Sequence, residues 1–269
     1  MNPVVRLVRR NPLVAFFVLA YALTWWVYPL LFVSPLIGLL GLFGPALAAI
    51  VVTAATEGRA GLGVLIRRVV HWRVPLPWWL VALGLPALLS LLAALLYAVA
   101  GSTGLTLGRL TVLDLVLVVL VVGEELGWRG YGLPRLLERF SPLVASLVLG
   151  LLWGLWHVPT FFIPGTPQYG LSIPAFLLLT IAYSILLTWI WRPTGGSVLV
   201  ATLAHGMINV SQGFFLAGVD PSVRYWWLVV SYGAAALVLA PVLRGRTRGR
   251  RASAASAPEP AAAPRSRTP

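Results

Sequence analysis

The 269-residue chain contains no cysteine, and this absence excludes a disulfide framework, a thiol nucleophile and a thiolate metal site. Charged residues are also scarce, at 10% of the sequence, whereas soluble domains carry roughly 25%. The whole chain has seven acidic residues, and all 20 of its basic residues are arginine. These shortages exclude an ordinary soluble domain. We attribute the arginine bias to genomic base composition and expect a bacterial source.

Apolar residues dominate what is present, at 59% of the sequence with a mean hydropathy of +0.90. Apolar stretches recur at a length of about 20 residues, which is enough to cross a bilayer core. The sequence therefore predicts an all-α polytopic membrane protein, a bundle of about eight transmembrane helices. The predicted spans are residues 13–33, 35–56, 77–100, 111–132, 141–160, 172–192, 196–217 and 224–243.

The arginines lie in the loops and tails between these spans, which gives the net charge of +13 a topological explanation. With a cytoplasmic N-terminus, 18 arginines face the cytoplasm and two, Arg109 and Arg224, face the other side. We therefore expect a multi-pass protein of the cell membrane with both termini cytoplasmic, and no nucleic-acid partner. Residues 1–22 also fit a signal peptide, but the apolar run continues past Trp25, which favours a retained helix.

Four parts are predicted along the chain. Residues 1–110 hold the N-terminal transmembrane helices, with a short cytoplasmic helix on the membrane surface within residues 58–79. Residues 111–217 hold most of the polar side chains found inside apolar spans, and residues 218–243 form the last transmembrane helix. Residues 244–269, rich in Arg, Ala and Pro, are expected to be a disordered cytoplasmic tail.

Two adjacent carboxylates, Glu124 and Glu125, follow directly on the apolar run VLDLVLVVLVV. A charge in hydrocarbon costs about 2.5–3.5 kcal/mol on insertion scales, so such residues persist where they pair, face water or perform chemistry. On a helix Glu125 and Arg129 lie four residues apart and can pair. Glu124 points about 100° away from its neighbour. The tandem therefore predicts one carboxylate held by arginine and another available for proton transfer.

Imidazole and amide groups occupy two further spans. His157 ends the stretch LLWGLWH one turn after Trp153, and His205 and Asn209 share a helical face in ATLAHGMINV. A lone histidine in an apolar helix is usually a packing residue. Two histidines, an asparagine and a tandem glutamate on three spans instead favour a common polar cavity inside the membrane.

These residues form three ordered motifs: EExxxR at 124–129, FxxxH at 153–157 with tryptophan in place of phenylalanine, and HxxxN at 205–209. Together they resemble the CPBP family of intramembrane proteases, which includes the CAAX prenyl endopeptidases and the bacterial Abi proteins. The resemblance spans about residues 111–215 and implies that 111–217 is the catalytic core. Trp153 retains an aromatic ring, so we expect this departure to leave the chemistry intact.

The resemblance implies an intramembrane endopeptidase that hydrolyses a peptide bond with an activated water. The implied catalytic residues are Glu124, His157, His205 and Asn209, with Glu125 and Arg129 supporting them. Glu124, assisted by His157, would deprotonate the water and then protonate the leaving amine. The histidine and asparagine of the third motif would donate hydrogen bonds to the oxyanion.

No cofactor is expected, because this set of residues can be assigned without a metal and the chain has no HExxH motif. Zinc stays open as an alternative, since glutamate and histidine can ligate it. The expected partners are a peptide or membrane-protein substrate and the lipid bilayer.

Two other functions stay open. A proton-coupled transporter also uses intramembrane Glu, His and Arg, but we find no internal repeat between the two halves of the chain. A non-proteolytic scaffold or immunity-type protein of the same family is the other alternative.

One feature of the spans is difficult to reconcile with a common site. Spans of equal length place Glu124 and His157 at different depths in antiparallel helices. Either the fourth helix is long and tilted through the membrane, or the stretch RGYGLPRLLERF forms a second, interfacial helix that lowers the start of the fifth; we predict a long fourth helix that is broken at Pro134.

Overall fold

The computed structural model describes residues 3–32, 37–101 and 104–245, and these residues form helices and loops without a strand. Part of the predicted tail, residues 246–269, lies outside the described residues. The helices are α1 (Pro3–Arg10), α2 (Pro12–Trp25), α3 (Gly38–Gly41), α4 (Gly44–Val69), α5 (Leu76–Gly101), α6 (Val112–Leu120), α7 (Val122–Glu125), α8 (Leu133–Leu137), α9 (Pro142–Trp156), α10 (Ile173–Trp191), α11 (Val198–Phe215) and α12 (Pro221–Arg244). Two 3₁₀ turns, Tyr28–Phe32 and Val158–Phe162, and a π-helical segment, Leu126–Gly132, complete the description.

Seven helical segments in the described ranges are long and apolar enough to cross a membrane. Large apolar side chains also cover the outer faces of the bundle, and Val99, Leu237 and Val238 are each at least 75% exposed. An apolar exterior of this kind suits lipid rather than water. The predicted all-α polytopic membrane architecture is therefore confirmed.

The predicted fourth span is built differently from the other seven. Its helical pieces, α6, α7, the π-helical segment and α8, contain 9, 4, 7 and 5 residues and follow one another with Val121 as the single intervening residue. At about 1.5 Å per residue this run reaches across a bilayer core. The predicted long helix is present as a helical run, although this run is not one of the seven segments above.

The predicted break at Pro134 is wrong, because Pro134 lies in the first turn of α8 and the helical run continues through it. Proline lacks the N–H that would bond the carbonyl four residues earlier. Here that carbonyl, on Gly130, accepts a hydrogen bond from the Arg68 guanidinium instead. The irregular backbone lies upstream of the proline, in the π-helical segment.

The predicted short helix within residues 58–79 is present, but it continues α4 after a kink instead of standing apart, and its cytoplasmic location stays a prediction. The kink is at Gly58, whose φ of +63° lies in the left-handed region that favours glycine. The part after the kink ends with Arg67 and Arg68 and leads into α5.

Helix packing brings the three motif-bearing segments together. Helix α11 contacts α5, α6, α7 and α10, while α9 packs along α10 and also contacts the π-helical segment. Glycines permit these close approaches: a Cβ on Gly206 would lie 2.7 Å from the Val118 side chain, and one on Gly150 would lie 2.6 Å from the Ile181 backbone. The motif residues of α7, α9 and α11 therefore face one region of the bundle.

Candidate active site

The π-helical segment begins directly after Glu124 and Glu125 and packs closely against α4. A Cβ on Gly127 would lie 2.4 Å from the Pro45 side chain, so no larger residue fits there without movement. Isolated π turns within α-helices occur frequently at functional sites. In this protein the π-helical segment directly follows the tandem glutamates and contains Arg129, so it determines how the residues of the first motif are placed relative to one another.

Glu125 is fully buried and makes two side-chain contacts through the same oxygen. Its Oε1 accepts from Arg129 Nη1 at 2.8 Å and from His205 Nδ1 at 2.9 Å. The predicted pairing of Glu125 with Arg129 is confirmed, and the contact with His205 adds a link between the first and third motifs. The Arg129 guanidinium, also fully buried, lies 4.8 Å from the ring of Trp153. Glu125 and Arg129 therefore orient neighbouring side chains from behind the site.

Glu124 is 3% exposed and is held by a different residue, Trp153 of α9. Its Oε2 accepts a hydrogen bond from the indole Nε1 of Trp153 at 2.9 Å. Phenylalanine, which the family motif has here, carries no such donor. Trp153 therefore holds the free carboxylate of the tandem pair, and the expectation that this departure leaves the chemistry intact stays a prediction.

His157 lies just beyond the last residue of α9, between the rings of Trp156 and Phe176 at centroid distances of 4.6 and 5.1 Å. Its Nδ1 lies 3.0 Å from the carbonyl oxygen of Trp153. Because a carbonyl can only accept, Nδ1 carries a proton and Nε2 is left with a free lone pair in the neutral ring. Trp153 therefore contacts both Glu124 and His157, and the predicted difference in their depths does not occur.

A cavity of about 340 Å³ lies between the motif-bearing helices. Four of the six predicted site residues line it, namely Glu124, His157, His205 and Asn209. His205 is buried with Nδ1 turned to Glu125, while the Asn209 side chain is exposed. The other two, Glu125 and Arg129, stand outside the lining. Four of the six predicted residues therefore line one cavity, and the other two lie directly behind it.

Six further polar side chains that sequence reasoning did not assign to the site line the cavity: Gln168, Thr180, Tyr183, Gln212, Arg224 and Tyr225. The Tyr183 hydroxyl is buried and has no hydrogen-bond partner in the described chain. Gln212 follows Asn209 by three residues on α11, so the two side chains share a helical face. The sequence spacing could therefore have placed Gln212 at the site. Tyr183 gives no such signal, because it lies in the middle of the apolar run of α10.

A metal ion in this cavity would need several donor side chains that converge on one point. Among the described residues, no group of three or more His, Asp or Glu side chains is placed to hold a metal ion. Zinc sites in enzymes use three protein ligands with a water in the fourth position. Within these residues the donor arrangement does not fit such a site.

The fold and the site together define a multi-pass membrane protein with carboxylate and imidazole groups converging on a buried cavity. Residues 106–211 match a family described as type II CAAX prenyl endopeptidase Rce1-like. Over 103 residues the chain is 33% identical to the protein named CAAX prenyl protease 2 of Methanococcus maripaludis, a match that covers 36% of this chain and 38% of that protein. Residues 106–211 are therefore similar to the CAAX protease (CPBP) family, as the three motifs indicate, and the match spans about two fifths of the curated relative's length.

Proposed function

We propose that this protein is an intramembrane endopeptidase in which Glu124 activates a water molecule. The observation that carries the proposal is that Glu124 and His157 line one cavity while Trp153 contacts both of them. Trp153 occupies Glu124 Oε2, which leaves Oε1 to accept a proton from water. The free Nε2 of His157 is a second acceptor for the same water. A positioned general base of this kind typically contributes 10²–10⁴-fold in rate.

The reaction then follows from these groups. The water oxygen attacks the carbonyl carbon of the scissile bond, and its proton passes to Glu124. The tetrahedral intermediate collapses, the C–N bond breaks, and Glu124 returns the proton to the leaving nitrogen. The products are a carboxylate and an amine, and no covalent intermediate with the enzyme forms.

Stabilisation of the oxyanion is assigned to the third motif. The contact between Nδ1 of His205 and the buried Glu125 carboxylate orients the ring and leaves Nε2 available, and as an oxyanion donor His205 acts with Nε2 protonated. The Asn209 amide, exposed in the same cavity, is the second donor. An oxyanion donor is typically worth about 2.7–4 kcal/mol.

A covalent nucleophile has no candidate in the lining. Neither cysteine nor serine occurs among the residues that surround the cavity in the described chain. The hydroxyl of the lining residue Thr180 donates to the Leu177 carbonyl at 3.0 Å, so it is already engaged. We therefore propose hydrolysis by water, without a metal or other cofactor, acting on a peptide or membrane-protein segment.

Substituting Glu124 by Gln tests the proposal. Purified wild-type and E124Q protein are reconstituted in liposomes with a quenched-fluorescent peptide library, and new N-termini are read by mass spectrometry. We expect cleavage by the wild type, loss of about 10²-fold or more in E124Q, and an unchanged rate in the control E138Q, whose exposed carboxylate lies on the same helical run. An E124Q protein that cleaves at the wild-type rate would falsify the proposal. A folded wild type that cleaves nothing would favour the transporter or scaffold alternatives.

A further inference from the structure

The cavity lies at one end of the helix bundle. It is lined by the last turn of α9, the second half of α11, the first half of α10, the start of α12 and the loop between α9 and α10, and it reaches inward to Leu117, Val121 and Glu124. Gln168 and Leu171 come from that loop, and Arg224 and Tyr225 come from the first turn of α12. Each of these segments belongs to the same end of the bundle, because neighbouring helices are antiparallel.

Arginines collect at the opposite end. The Arg9 guanidinium donates to the Ala55 carbonyl, and Arg135 pairs with Glu57, so these contacts join α1 and α8 to the middle of α4. At the same end the Ser197 hydroxyl, which caps α11, donates to the His71 carbonyl at 2.7 Å. Further arginines of this end are Arg10, Arg59, Arg67, Arg68, Arg73, Arg139, Arg192 and Arg244.

The cavity end carries Arg109, shortly before α6, and Arg224. This asymmetry is the pattern of the positive-inside rule, in which cytoplasmic loops carry the excess of basic residues. The arginine-rich end is then the cytoplasmic one. The charge distribution and the position of the cavity are independent observations, and they fix which side of the membrane reaches the site.

We infer that the cavity opens toward the non-cytoplasmic side of the membrane and takes its substrate from there. Resting on the proposed function, this assigns the substrate class: peptide segments outside the cytoplasm, such as exported peptides or the outward-facing loops and tails of membrane proteins. A cytosolic polypeptide tail would have to cross the bilayer to reach Glu124. Gln168 and Arg224, at the same end, are positioned where such a segment enters.

The absence of native cysteine permits a direct test by single-cysteine labelling. Y169C places a thiol on the exposed part of the loop over the cavity, and R73C places one between α4 and α5 at the opposite end. Intact cells are treated with a membrane-impermeant maleimide, and a second sample is permeabilised first. We expect Y169C to be labelled in intact cells and R73C after permeabilisation. The reverse pattern, or labelling of both in intact cells, overturns the inference.

A second pair of variants tests the cavity itself. Q212C places a thiol in the lining, and V238C places one on the apolar outer face of α12, where 75% of the side chain is exposed. Thiolates react in water and are suppressed in apolar surroundings. A small impermeant methanethiosulfonate should therefore modify Q212C, but not V238C, in intact cells. Modification of Q212C restricted to permeabilised cells would show that the cavity is reached from the cytoplasm.

Labelling does not depend on catalysis, so the two proposals fail separately. If the cavity is labelled from outside but no peptide is cleaved, the proposed protease activity is wrong and the proposed orientation stands. If peptides are cleaved but the cavity is labelled from the cytoplasm, the activity stands and the orientation is wrong. When both hold, peptides recovered from outside the cytoplasm should include products that are lost in E124Q cells and kept in E138Q cells.

Discussion

The indole Nε1 of Trp153 lies 2.9 Å from Oε2 of Glu124, and the backbone carbonyl of the same tryptophan lies 3.0 Å from Nδ1 of His157. One residue therefore positions both groups that are proposed to activate water. The first contact requires tryptophan, whereas the second is available to any residue at this place.

Restoring phenylalanine at position 153 should accordingly impair the enzyme, although it matches the family motif. A hydrogen bond to a charged group is worth about 1.5–3 kcal/mol, so W153F should lower kcat about 10- to 100-fold with little change in KM. Steady-state kinetics in liposomes measures this split. The control is W191F, because the buried indole N–H of Trp191 has no partner. Equal activity in W153F and wild type would show that the indole does not position Glu124.

Replacing His157 by asparagine separates its two nitrogens. The asparagine amide can still donate to the Trp153 carbonyl, but it offers nothing in place of Nε2. We expect H157N to keep its thermal stability and to lose about 10²–10⁴-fold in cleavage rate. H71N, outside the cavity, serves as the comparison. Retained cleavage in H157N would remove His157 from the proposed chemistry.

Removing the buried cation Arg129 should destabilise the fold. In R129M the buried Glu125 carboxylate loses its arginine partner and keeps only the contact with His205, and breaking a buried ion pair typically costs about 3–5 kcal/mol. Denaturant unfolding in detergent micelles measures this, with R59M as a control at an exposed arginine. The double variant E125L/R129M should recover part of the stability but not the activity, since His205 loses its Nδ1 partner. A fully active double variant would contradict the role given to Glu125.

The close approach of the π-helical segment to α4 predicts that Gly127 cannot be enlarged. In G127A the new Cβ would lie within 2.7 Å of both the side chain and the backbone of Pro45, so the segment must move. We expect lower thermal stability together with loss of cleavage. G84A is the matched control, because a Cβ there has nothing within 4 Å. Unchanged stability in G127A would show that this contact can relax without cost.

Chelation tests the proposed absence of a metal. Treatment with 1,10-phenanthroline or EDTA, followed by removal of the chelator, should leave the cleavage rate unchanged, and added zinc should not raise it. Metal content measured on the purified protein by mass spectrometry provides an independent reading. Loss of activity that zinc restores would replace the proposed mechanism with a metal-assisted one.

The helices and the three motifs could be predicted from the sequence because they depend on local patterns. Apolar length located the spans within a few residues, and the four-residue spacing of Glu125 and Arg129 predicted their ion pair. The same reasoning placed the break of the fourth helix at Pro134. It could not anticipate that Arg68, from α4, would supply the missing donor at Gly130.

Local sequence, then, determined an apolar multi-pass bundle with an acid pair, two histidines and an asparagine in separate spans, because helical periodicity and hydrophobic length act over a few turns. Tertiary structure decided which of these groups touch: Trp153 and Glu124 are 29 residues apart, and His205 and Glu125 are 80 apart. It also decided that Tyr183 and Arg224 share their cavity. Such contacts depend on how distant helices pack, and no short-range spacing encodes that.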